Sequence, residues 1–452
     1  MNKSKNKAKT KKQVDSTPSI IHPDAAGIDV GARELYVAVA PDQSQPCIRT
    51  FGSFTADLKE MASWLKNCGI KTVAMESTGV YWIPAFEILE DQGIEVCLVN
   101  ARHAKGVPGR KTDVQDCQWL QQLHSFGLLR CSFHPDGLIR QIRTLFRSRR
   151  HWIEQSATAI QMMKKALTIM NFQIQHVLTD LTGASEMALM DAILEGERDS
   201  QKLLLLINPL VKATPETLIK SLQGSYDEAL LFQLQQSLDL YRYLQTQILK
   251  MDQKIQSYLL LLEPKIQVEA TKTWKAKKSD PKTLESFDWP RHLTQVFGVD
   301  LTQIPGISLN TALCFLSEVG PDLKKFPTFK HFCSWLKLCP NRKITGGRVL
   351  SSRTRPQKGT LAIQLRAAAQ SLHFSKSPLG DLYRRFRARQ GPVSAITTLA
   401  HKLARILYTM ITQQKPYDEN LIEKSIHHSQ SQKIKSIQKI AKNLGYQLVP
   451  TS

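Results

Sequence analysis

The sequence predicts an α/β domain followed by two mainly α segments, and two observations carry that reading. Up to Ser125, short apolar runs and helix-spaced runs alternate in the order β-β-β-α-β-α-β-α. From about 137 to 270 the chain is almost all helix former, with few glycines.

The elements follow in order. Ala26 to Gly31 opens the first strand, and Glu34 to Val37, leading into Ala38-Val39-Ala40, returns as its hairpin partner. A third short strand is predicted near Ile48 to Phe54. Leu58 to Asn67 places apolar residues at 58, 61, 62 and 65, which is helical spacing. Thr72 to Met75 is a buried-type strand that ends in Glu76-Ser77-Thr78-Gly79. Ile83 to Asp91 reads as helix and Ile94 to Val99 as strand. A basic loop rich in Gly and Pro, Lys105 to Thr112, then leads into a helix beginning at Asp113.

Ile139 to Met170, Ser200 to Ile207 and Glu228 to Leu262 are predicted as helices of an antiparallel hairpin or coiled coil, a spacer or dimerisation arm. Within it, Arg143 and Arg147 are four apart and share a helix face that suits phosphate. Further on, Ile304-Pro305-Gly306-Ile307-Ser308 followed by Ala312 to Val319 reads as a helix-hairpin-helix. There Gly306 would leave backbone amides free for a phosphate; a plain packing turn gives the same pattern. Phe329 to Leu338, Leu361 to Leu372 and Ala395 to Ile411 complete a mainly helical C-terminal domain. The boundaries that result are a disordered basic arm (1–22), the α/β domain (23–135), the helical region (136–270), a linker (271–293), the C-terminal domain (294–415) and a polar basic tail (416–452).

Sixty-one Lys and Arg against 39 Asp and Glu give a net charge of +22, which points to a polyanionic partner, most often nucleic acid. The eight cysteines form no Cys-x-x-Cys pair, and several sit in apolar runs, so reduced core thiols are expected rather than disulfides or zinc. No apolar run reaches the ~18 residues of a membrane span, and the lysine-rich start lacks a signal-peptide core. A cytoplasmic, nucleoid-associated protein is expected.

Four acids stand out. Asp29 lies inside an apolar strand, where a charge is costly unless paired or metal-bound. Glu76 closes a parallel-type strand, the place where open α/β sheets put their sites. Asp113 and Asp116 share one face of a helix's first turn, where acids also serve as simple dipole partners. Brought to one pole of a sheet, four carboxylates would repel unless divalent cations neutralised them. Oxygen-only ligands favour Mg²⁺ or Mn²⁺. Two such ions would serve phosphodiester chemistry.

The blocks Gly27-Ile28-Asp29-Val30-Gly31, Met75-Glu76-Ser77-Thr78-Gly79-Val80-Tyr81, Val99-Asn100 and Lys111-Thr112-Asp113-Val114-Gln115-Asp116 resemble the DEDD transposases of insertion sequences, relatives of the Piv DNA invertase. The resemblance spans about residues 24 to 412. It implies a ribonuclease H-like, RuvC-like first domain, with Asp29, Glu76, Asp113 and Asp116 as the metal-holding tetrad. It also implies a C-terminal transposase domain with a nucleophilic serine in a Pro-x-x-x-x-Ser-Gly context. Counted from Pro340 that position is Thr345, so threonine stands where serine is usual, with Ser351 and Ser352 as alternative nucleophiles.

Arg342, Lys343, Arg348, Arg353 and Arg355 surround Thr345 in sequence, and Arg110 and Lys111 precede the Asp113 helix, as candidate phosphate contacts. The resemblance further implies DNA element ends and target as partners, a structured guide RNA, and a homodimer or homotetramer. The function expected is a transposase or site-specific recombinase that cuts and rejoins DNA by metal-assisted transesterification. The rivals are a RuvC-like structure-specific nuclease without a covalent intermediate and a catalytically decayed DNA-binding transposase.

Overall fold

Asp29 owes its position to the register of five strands. In the computed structural model, which describes residues 19–77, 79–100, 112–178, 180–268, 287–356 and 359–446, the chain forms two units, dividing between His134 and Pro135. Thr78, Arg110, Lys111, most of the expected N-terminal arm and most of the expected linker lie outside the described residues.

In the first unit, β1 (Ala25–Val30), β2 (Glu34–Ala38) and β3 (Ile48–Gly52) are followed by α1 (Thr55–Asn67), β4 (Thr72–Glu76), α2 (Trp82–Asp91), β5 (Glu95–Val99) and α3 (Asp113–Ser125). The strands order as β3-β2-β1-β4-β5; β2 runs antiparallel to both β1 and β3, and β4 and β5 run parallel to β1. Alternation along each strand divides the residues between two faces. Ile28, Val73 and Met75 face α1 and α2, among Met61, Leu65 and Leu89, all fully buried. Ala74, Cys97 and Val99 face the other way, toward Leu120 of α3. This mixed sheet with helices on both faces fits the ribonuclease H-like layout.

Two expectations about this unit are corrected. Cys97 and Cys131 form a disulfide, not a pair of free core thiols. Ser132 donates its amide to the Leu98 carbonyl, so the segment after α3 runs beside β5 and its cysteine meets the one in the strand. Ile21 and His22, expected in the basic arm, are docked: both amides bond to the Ser125 carbonyl and the His22 ring stacks on His124. Burial, reinforced by His22, lowers the His124 pKa to about 4, and its neutral ring meets the Thr72 hydroxyl at 2.9 Å.

The second unit begins with α4 (Gly137–Ile169), continues through α5 (Ala184–Leu194), α6 (Ser200–Leu204) and α7 (Pro215–Ser221), and returns along α8 (Glu228–Leu259). The two long helices pack along one another, and residues 163–238 build a local core of Met163, Phe172, Leu189, Ile193 and Leu234. There follow α9 (Trp289–Phe297), α10 (Leu309–Val319), α11 (Phe329–Trp335), a hairpin of β6 (Lys343–Thr345) and β7 (Arg348–Ser351), then α12 (Thr360–Ser371), α13 (Pro378–Gln390), α14 (Pro392–Gln413) and α15 (Glu419–Asn443). Trp289, placed in the linker by sequence, is fully buried and belongs to the C-terminal core. The segment from 416, expected as a tail, is helical through α15.

Two arginines of α4 engage Glu318, Arg143 from a part-buried position and Arg147 from an exposed one. Arg143 donates to the Glu318 carbonyl at 2.7 Å, and Arg147 forks onto the Glu318 carboxylate at 2.9 and 2.8 Å. Burial pulls Arg143 down to about 10 against the attraction of Glu318. Arg149 pairs with Asp252 of α8 with both side chains almost wholly buried. Removing one partner of such a pair strands the other charge out of water.

Asp252→Ala is therefore expected to cost about 3–5 kcal/mol in denaturant unfolding. The double change Arg149→Met with Asp252→Leu is expected to recover most of that loss.

Candidate active site

Three elements of the first unit bring the four candidate acids together. Residues Ala25, Gly27 and Asp29 of β1 share the sheet face covered by α3. A Cβ on Gly27 would lie 2.3 Å from both the Cys117 carbonyl oxygen and the Gln121 nitrogen, so the helix backbone rests directly on the glycine. That contact sets the first turn of α3 over Asp29, two residues further along the strand. Ile28 pairs with Met75 and Glu76 with Val99, so Asp29 and Glu76 stand level at the ends of adjacent parallel strands. The Thr112 side chain accepts the Gln115 amide and starts α3, which places Asp113 and Asp116 in its first turn.

Asp113 is exposed, whereas Asp29, Glu76 and Asp116 are partly buried. Asp29 takes up the strain of this gathering of like charges. Its pKa rises to about 6, first from burial, then from repulsion by Asp113, Glu76 and Asp116, against a backbone hydrogen bond at Val30 that lowers it. Asp113 and Asp116 have the helix dipole on their side; Asp29 does not. Burial pushes the neighbouring Cys117 thiol to about 12, with Asp29 and Asp116 adding to it, so this cysteine is a packing residue and no nucleophile. Tyr36, the strand partner of Asp29, donates its hydroxyl to Glu34, which raises its pKa.

Among the described residues no three His, Cys, Asp or Glu side chains already form a metal cage. The donor set nevertheless suits hard divalent cations: carboxylates only, mutually repelling, one of them with a raised proton affinity. Gly27 escaped the sequence reading as a functional residue. Its signal is a glycine two residues before a strand acid, on the same face.

The candidate nucleophile belongs to the second unit. Thr345 closes β6, pairs with Arg348, and is followed by Gly346 and Gly347, both at positive φ (54° and 79°). These make the two-residue turn whose twist suits a hairpin, and they leave no side chain beside the Thr345 hydroxyl. Arg342, Lys343, Thr345, Arg348, Arg353 and Arg355 are all exposed. Residues 340–356 contain no acid. Of the alternatives, Ser351 is partly buried and accepts the Arg353 amide at 3.3 Å, whereas Ser352 is exposed at the hairpin's root. Gly306 sits in a packed turn, where a Cβ would lie 2.9 Å from the Ala368 carbonyl of α12.

The raised Asp29 pKa has a consequence for stability. The folded protein holds this proton more tightly than the unfolded chain does, so the contribution of Asp29 is intact below about pH 4 and is lost as pH rises through about 6. Asp29→Asn is expected to raise stability near pH 7.5 by about 1 kcal/mol, after discounting ~1.4 kcal/mol per pKa unit for partial exposure. The gain should vanish near pH 4, as read by denaturant unfolding at both values. Mg²⁺ should raise the melting temperature of the wild type more than that of the variant.

No curated protein matches the chain. Two family models do: a DEDD transposase model, described as Transposase, over residues 26–172, and one described as Transposase IS116/IS110/IS902 family over residues 298–381. Together they span just over half of the chain, one containing the four acids and the other Thr345. No helix among the described residues is long and apolar enough to cross a membrane. The clustered acids and the two successive matches make this chain a DEDD transposase of the IS110 family.

Proposed function

We propose that the protein cuts and rejoins DNA strands at the ends of its insertion sequence and at a target by metal-assisted transesterification, with Thr345 as the nucleophile. The observation that carries this reading is the gathering of Asp29, Glu76, Asp113 and Asp116: burial and then repulsion by the other three acids raise the Asp29 pKa to about 6. Acids spread for dipole or turn roles alone would not press on one another in this way.

The four carboxylates would hold one or two Mg²⁺ or Mn²⁺ ions, which when bound supply Lewis-acid stabilisation of the oxygens around phosphorus. The Thr345 hydroxyl attacks a phosphodiester, the bond to the leaving strand breaks, and the strand end remains esterified to the threonine. A hydroxyl from the partner strand then attacks the same phosphorus and frees Thr345. Arg342, Lys343, Arg348, Arg353 and Arg355 offset the phosphate charge as it develops. The linkage conserves the phosphodiester energy, so exchange needs no nucleotide cofactor. We further propose a structured RNA that selects the DNA sites, and a homodimer or homotetramer as the working assembly, in the cytoplasm at the nucleoid. The net charge of +22 supports binding of nucleic acid.

The test is to incubate the protein with Mg²⁺, element-end DNA and co-expressed flanking RNA, denature it, and map adducts by mass spectrometry. A DNA adduct on Thr345 is expected, kept by Thr345→Ser and reduced by about 10³-fold or more in Thr345→Ala and in Asp113→Asn. An adduct on Ser351 or Ser352 would move the nucleophile. Cleavage without an adduct, still dependent on Asp113, would establish a nuclease instead.

A further inference from the structure

At the root of the β6–β7 hairpin lies a cavity of about 820 Å³, between the strand ends and the turn from α13 into α14. Its walls are of two kinds. Leu338, Pro340, Pro392 and Val393 give apolar surface, and Arg353 and His401 stand among hydroxyl and amide groups. Among the described residues, no acid lines it. The volume falls in the range of small-molecule sites, roughly 300–1,000 Å³, and such sites combine apolar walls with a few convergent polar groups.

We propose that this cavity receives one nucleotide of the bound DNA strand, turned out of its stack. This rests on the DNA reading above and adds a site to it. Stacked bases show a protein only their edges, so apolar walls gain nothing from an intact duplex. They gain from the flat face of a base that has left it. Gln390 donates its amide NH₂ to the Thr398 hydroxyl at 2.8 Å, which leaves its carbonyl oxygen for the edge of a base. Burial, with Arg405 and Lys402 close by, lowers the His401 pKa, and the ring stands in the cavity wall where it can lie against a base or bond to its edge. Arg353 is exposed at the rim, where the nucleotide's phosphate would pass.

The position fits the reaction. Thr345 pairs with Arg348, and Ser352 at the cavity edge lies four residues further along the returning chain. Four extended residues span roughly 13 Å. Stacked bases repeat every ~3.4 Å along one strand, so the nucleotide would lie about four steps from the phosphorus attacked by Thr345. Drawing it out would hold the strand in register on the hairpin, with the unstacking cost lowest at a weakly paired step.

The experiment places the fluorescent base 2-aminopurine at each position in turn of an element-end duplex bound to the full-length protein with its RNA and Mg²⁺. Fluorescence is expected to rise several-fold at one position, about four steps from the cleaved bond. Val393 is 80 % exposed, so Val393→Trp fills the cavity without disturbing a core. That variant should abolish the rise and slow adduct formation on Thr345 about tenfold, with duplex affinity within twofold of wild type. The control lies off the cavity: Phe374 is 89 % exposed, and Phe374→Ala should keep both signals, with the melting temperatures of both variants matching the wild type. A rise that persists in Val393→Trp, or no rise on a duplex that the wild type binds and cleaves, overturns the inference and leaves the recombinase reading standing. A wild type that neither binds the duplex nor forms an adduct overturns both.

Discussion

Four carboxylates gathered at one pole of a sheet push one another apart, and the first unit is arranged to hold them against that push. Two come from parallel strands whose register puts Asp29 level with Glu76. Two come from the start of α3, where the helix dipole favours negative charge. Asp29 has neither exposure nor a dipole to relieve it, and so it bears the largest cost. The height of the whole group is set by Gly27, because α3 rests its backbone on a residue with no side chain. A methyl group there would lift the helix and separate its acids from the strands.

The second unit treats charge in the opposite way. Two of its buried acids are paired with arginine: Glu318 with Arg143 and Arg147, Asp252 with Arg149. The exposed positive charge of the C-terminal segment includes Arg342, Lys343, Arg348 and Arg353. These are exposed on a hairpin that has no acid of its own. One unit thus gathers negative charge at a sheet pole, and the other carries exposed positive charge on a hairpin.

The α/β order, the helical arm and the four acids were legible in the sequence because each depends on local pattern: strand alternation, helical spacing, an acid inside an apolar run. What escaped depends on partners far along the chain. Nothing near Arg143 and Arg147 announces Glu318, some 175 and 171 residues away. Cys97 and Cys131 belong to no spacing motif and meet only because the chain after α3 returns beside β5. The β6–β7 hairpin was hidden for another reason. Gly346-Gly347 is a turn signal, but Arg and Lys at the flanking positions mask the alternation that marks a strand. Thr345 was singled out by its distance from Pro340, and the hairpin explains why the hydroxyl there is exposed.

The clasp on Glu318 has a mechanical side. α4 runs for 33 residues, about 50 Å at 1.5 Å per residue. Its near end is pinned to α10 through Glu318, and its far end enters the small helical core built by residues 163–238. The Arg149–Asp252 pair keeps α4 and α8 from sliding past each other, so the two helices act as one beam. Sideways load on the far core therefore reaches the near end as torque about Glu318. There it is resisted by a forked guanidinium–carboxylate contact, a joint that tolerates little rotation before its two parallel hydrogen bonds break.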